Sequence, residues 1–68
     1  MQTLIHVRFS PDGNVTEIGA RPNGVDAQKW FNHLTRTAGN SYQSLAGGRG
    51  VFRVAPEELE GIKDTLAN

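Results

Sequence analysis

Thr3-Leu4-Ile5-His6-Val7-Arg8-Phe9 is the stretch on which the fold turns. Thr3, Ile5, Val7 and Phe9 alternate with Leu4, His6 and Arg8, a period of two that sends the sets to opposite faces of a strand. The first set is β-branched or aromatic throughout and asks to be buried. The second holds a histidine, an arginine and one leucine, and belongs toward water.

Ser10-Pro11-Asp12-Gly13-Asn14 follows. Proline presets φ for a turn and glycine supplies the positive φ that closes it. Val15 to Ala20 then returns as a second strand, with Thr16, Ile18 and Ala20 expected on one face and Val15, Glu17 and Gly19 on the other. Pro22-Asn23-Gly24 releases the chain from the sheet. Asp26 can cap a helix by accepting from its free first-turn amides. Ala27, Trp30, Phe31, Leu34 and Ala38 fall at i, i+3, i+4, i+7 and i+11, which predicts a helix from Ala27 to Ala38 with one apolar stripe. Gly39 stands where a left-handed C-cap is expected.

Ser41 to Ala46 and Val51 to Ala55 read as short strands around Gly47-Gly48-Arg49-Gly50, a second hairpin. Phe52 and Val54 should face inward, Val51 and Arg53 outward. Pro56 opens the last helix, with Glu57 and Glu58 near its positive end. Leu59, Ile62 and Leu66 form its stripe. Gly61 weakens it by roughly 1 kcal/mol relative to alanine, and fraying is expected after Asp64. The sum is one α+β domain over residues 1–68: ββαββα, a two-layer sandwich of a four-stranded, mainly antiparallel sheet with two helices on one face. Hairpin and helix occur twice, but the residues of the two copies do not match.

Sixty-eight residues leave most apolar side chains committed to one core. Without cysteine there is neither a disulfide framework nor a thiolate metal site. The first nine residues lack the basic and long apolar runs of a signal peptide, and no segment has the roughly 20 apolar residues of a membrane span. A soluble, cytoplasmic protein without membrane contact is expected. Formal charge is zero overall but unevenly spread. Arg8, Arg21, Lys29, Arg36, Arg49 and Arg53 outnumber Asp12, Glu17 and Asp26 in the body. Glu57, Glu58, Glu60 and Asp64 outnumber Lys63 in the tail, where helix-end electrostatics account for them.

Candidate chemistry is sparse. The glycine loop 47–50 invites a phosphate reading, but phosphate loops hand the anion to a helix N-terminus. Here a strand follows, so a hairpin turn explains the glycines better. Arg49-Gly50-Val51-Phe52-Arg53-Val54 opens like an RNA-recognition strand, yet Val51 and Arg53 stand where stacking aromatics are needed. His6 and His33 are the only histidines; one sits on a strand and the other on a helix off its stripe, expected exposed, so no metal site is expected. No spacing ties Ser10, Ser41 or Ser44 to a histidine base. Neither enzyme activity nor a cofactor is expected.

What remains is surface. The helix-free sheet face should carry Leu4, His6, Arg8, Val51 and Arg53, and Val15 and Leu45 are apolar positions assigned to the same side. Such a face suits a protein partner or a second copy of the chain, as in a homodimer. The alternative is nucleic acid, less favoured, contacted by Arg8, Tyr42, Arg49 and Arg53 with Lys29 and Arg36 as a second basic patch. Against it stand the zero net charge and the single tyrosine.

Overall fold

In the computed structural model, which describes residues 2–67, the elements are β1 (Thr3–Phe9), β2 (Val15–Ile18), α1 (Ala27–Ala38), β3 (Tyr42–Leu45), β4 (Arg49–Val54) and α2 (Pro56–Ala67). The four strands form one antiparallel sheet in the order β2-β1-β4-β3. The two strands farthest apart in the chain are therefore paired at its centre. Both helices lie on one side, and the molecule measures 31 × 27 × 17 Å.

The β1–β4 ladder sets Thr3 opposite Val54, Ile5 opposite Phe52, His6 opposite Val51 and Arg8 opposite Arg49. Ile5, Val7, Phe52 and Val54 are fully buried under the helices, while His6, Arg8 and Arg53 are exposed. From α1 come the buried Trp30, Leu34 and Ala38, and from α2 Leu59 and Ile62. Trp30 is fully enclosed, and its indole N–H donates to the Gly19 carbonyl at 2.9 Å, so its one polar atom is satisfied. Phe31 meets Phe9, Tyr42 and Phe52 edge-on, with ring centroids 5.3, 6.0 and 5.8 Å away. One helix side chain thus touches three strands.

The helix ends are capped as the residues suggest at their N-termini. Asp26 accepts from the Lys29 amide at 2.8 Å, and the Glu58 carboxylate accepts from the Ala55 amide at 3.4 Å, half of a capping box. The C-terminus of α1 differs from expectation. Gly39 is right-handed (φ −59°, ψ −30°), and the chain passes through a 3-10 turn, Gly39–Ser41, whose carbonyl at Gly39 accepts from the Tyr42 amide. The chain thus leaves α1 through a right-handed turn in place of the left-handed cap. α2 continues past Asp64 to Ala67.

The hairpins also shift from their sequence limits. β4 begins at Arg49, so the second loop is only Ala46-Gly47-Gly48, with Gly47 and Gly48 at φ +79° and +71°. Two successive positive φ values are what confine that loop to glycine. In the first hairpin, Arg8 pairs with Glu17 but Phe9 pairs with Val15, leaving Thr16 as a bulge. The Thr16 hydroxyl donates to the Arg8 carbonyl at 3.2 Å. The extra residue brings both Val15 and Ile18 to the core side, which corrects the expected grouping: Val15 is buried, not on the open face. β2 ends at Ile18, and Ala20 turns the chain at φ +59°.

Gly50 is a close-approach glycine. The Tyr42 ring lies across it, and a Cβ built there would stand 2.6 and 2.7 Å from the ring's Cε1 and Cζ. Tyr42 cannot swing freely, being packed on Phe52 at 4.9 Å between centroids. Gly50→Ala is expected to lower stability by about 1–3 kcal/mol, the range for overpacking, as read by denaturant melts.

In the first turn the Ser10 hydroxyl donates to Asp12 Oδ1. That bond, with lesser help from the amides of Asp12 and Asn14, holds the Asp12 carboxyl below its usual 3.8, against a small opposing effect of desolvation. A depressed folded-state pKa makes the carboxylate's contribution complete above about 3.8 and lost as pH falls through the lower folded value. A carbon-detected NMR titration should find the Asp12 midpoint below 3.8, returning toward 3.8 in Ser10→Ala.

Candidate functional site: the open sheet face

Strand alternation fixes what the helix-free face displays. Across the sheet run three rows: Glu17, Arg8, Arg49 and Leu45; then His6, Val51 and Gln43; then Leu4 and Arg53. Neighbouring strands lie about 4.8 Å apart, so each row places side chains within reach of one another. Leu4, His6, Arg8, Val51 and Arg53 therefore share one face, and Arg49 joins them.

They do not share one degree of exposure. Leu4 is 51% exposed, the exposed large hydrophobic among the described residues. Val51 is only 2% exposed although it points away from the helices and lies outside the main core cluster. Its cross-strand neighbours are His6 and Gln43, and the Gln43 side-chain carbonyl accepts from Arg53 Nη1, joining the two side chains that flank Val51. Val51 is the floor of this face rather than a contact on its surface.

Leu4, His6, Arg8, Glu17, Ile18 and Gly19 line a shallow depression of about 340 Å3. Glu17 is the residue the sequence reading passed over. Its cross-strand position beside Arg8 was the available signal, hidden because the bulge had not been placed. Although the two are opposite, no ion pair joins them among the described residues. The Arg49 Nε donates to the Ala46 carbonyl at 3.0 Å, which tethers that side chain to the loop.

Two residues are placed otherwise than expected. Tyr42 faces the helices, pairing with Phe52 in register and packing against Phe31 and Phe52, so it offers the open face no ring. His33 is half-buried rather than exposed. Its ring stacks on Trp30 at 6.1 Å, and its Nε2 lies 3.0 Å from both the Ile62 carbonyl and the Thr65 hydroxyl. This histidine ties α1 to α2, and a periodicity argument missed it because its partners come from 29 and 32 residues downstream. His6 and His33 consequently occupy opposite sides of the sheet. Among the described residues, no group of three or more His, Cys, Asp or Glu is placed to hold a metal ion.

A second, polar depression of about 260 Å3 lies where the end of α1 meets α2, with Arg36, Asn40, Ser41 and Glu58 among its lining. Among the described residues, no buried side-chain nitrogen or oxygen lacks a hydrogen-bond partner. Among the described residues, no helix is long and apolar enough to cross a membrane.

Comparison of the chain with protein-family models, with curated proteins and with solved structures finds no match.

The difference between rim and floor has a direct consequence. Leu4→Asp should change stability by no more than about 0.5 kcal/mol, as an exposed position allows. Val51→Ala strips a covered side chain from the floor and should cost several times more, about 1–3 kcal/mol. Paired urea melts of the two variants measure the contrast.

Proposed function

We propose that the protein is a non-enzymatic interaction module that receives a protein partner, or a second copy of itself, on the open sheet face. Leu4 is the observation that carries this. A small domain can spare few apolar side chains from its core, and this one sets a leucine in water at the edge of a depression also lined by His6 and Arg8. The backbone beneath is a four-stranded ladder, so docking would order little that is not already ordered.

Nucleic-acid binding is the second possibility, favoured by Arg8 and Arg49 standing side by side with Arg53 two residues further along β4. It has lost Tyr42 to the helix side, and phosphate contacts alone give affinity without base stacking. Lys29 and Arg36 belong to α1, in the other layer, and cannot extend the same surface.

The test compares wild type, Leu4→Asp and a control, Asn40→Asp, in the exposed turn after α1. Light scattering over a concentration series and affinity capture are the two measurements. Loss of about tenfold or more in self-association or in partner retention is expected for Leu4→Asp alone. Identical behaviour of all three chains, including a wild type that stays at 7.4 kDa and retains nothing, would overturn the proposal.

A further inference from the structure

If the open face is an interaction surface, its charge says what chemistry it accepts. Arg8 and Arg49 are direct cross-strand partners on the two central strands, both exposed, and like charges placed opposite each other disfavour a sheet. Arg53 extends the positive edge along β4, with Leu4 opposite it on β1. Glu17 is the only acidic residue in these rows. Among the described residues the Arg8 guanidinium makes no hydrogen bond or ion pair. Arg49 is held through Nε alone, which leaves the terminal nitrogens of its fork unengaged. Two forks side by side, one of them already anchored, suit carboxylates, which arginine grips in the plane of its fork.

We infer that the occupant of this face is an acidic polypeptide segment that also carries an apolar side chain. The inference rests on the interaction-module reading above and names its partner's chemistry. Arg8 and Leu4 lie four residues apart on β1, about 13 Å along the strand. A fitting segment sets a carboxylate against the Arg8–Arg49 pair and an aliphatic group against Leu4 at that separation. Two other occupants fit less well. A two-fold dimer through this face would bring the same patch onto itself, three arginines meeting three arginines. A nucleic acid would meet cations and, in these rows, only the His6 ring, since Phe9, Phe31, Tyr42 and Phe52 all pack among themselves on the helix side.

The experiment titrates the full chain with three labelled probes: a short peptide of glutamates interspersed with leucine, its lysine-for-glutamate counterpart, and a single-stranded oligodeoxynucleotide of the same charge as the acidic peptide. Fluorescence anisotropy reads affinity, and an amide shift map reads location. The acidic peptide should bind best, shift amides of β1 and β4, and weaken as salt rises from about 50 to about 300 mM. Arg8→Glu with Arg49→Glu should lose about tenfold or more. Glu17→Gln, which removes the face's one carboxylate, should gain about twofold, and this gain tests the idea even where the double reversal does not fold. Tighter binding of the oligonucleotide or of the lysine peptide overturns the inference, as does an acidic peptide that fails to bind or maps to the helices. Those outcomes concern charge alone, whereas the Leu4→Asp comparison judges whether the face is used at all.

Discussion

Pairing of β1 with β4 is the constraint from which the rest follows. These strands are separated by some forty residues of chain, and closing so long a loop carries an entropic cost before any contact rewards it. The reward is the enclosure of Ile5, Val7, Phe52 and Val54 beneath Trp30 and Leu34. Side chains alternate with a period of two, so a slip of one residue would carry these four into water and draw His6, Arg8 and Arg53 inward. Burying three such groups without partners is costly enough to exclude that register. The core therefore chooses the register, and the register in turn chooses what the open face displays.

Aromatic rings are distributed by the same logic. Phe9, Phe31, Tyr42 and Phe52 form one chain of ring contacts on the helix side, with Trp30 nearby and closed off by the Gly19 carbonyl. A side chain at Gly50 would collide with the Tyr42 ring, which packs on Phe52 two residues further along β4. Having given its Phe, Tyr and Trp rings to one layer, the domain leaves His6 with aliphatic and charged groups on the other. The open face can offer charge, hydrogen bonds and a leucine, and the range of partners narrows accordingly.

Period and punctuation made much of this legible. Residues 3–9 declared their two faces because no polar residue interrupts the inward set beyond Thr3, and Ala27–Ala38 declared its stripe through Trp30 and Leu34. The misplacements share a cause: each depends on a contact remote in sequence or on one added residue. Val15 reached the core because Thr16 bulges, and nothing in Val15-Thr16-Glu17-Ile18 marks which residue will be skipped. Tyr42 turned inward because it stands opposite Phe52, an inward residue of β4, and that pairing cannot be read within Ser41–Ala46 alone. His33 became structural through α2, which a helical wheel of α1 cannot contain. Val51 faces outward as its parity demands and yet is covered, because Arg53 and Gln43 close over their neighbour. On β1 and β4 direction was readable from alternation; depth was not, since depth depends on what neighbouring strands place alongside.

That distinction bears on how the face is to be understood. An outward strand residue counts as surface only when its cross-strand neighbours are too short or too distant to cover it. By that measure the candidate face is narrower than its sequence pattern: Leu4 and the arginine forks are accessible, whereas Val51 supports them from beneath. A buried floor holds the backbone of β4 flat under Arg49 and Arg53, as the core does from the other side. β4 is thus the one strand packed on both faces, and charged groups rooted on it are held in place more firmly than groups on an edge. The pairing that makes the fold possible also fixes the spacing of its exposed charges, so the geometry of the surface is inherited from the core.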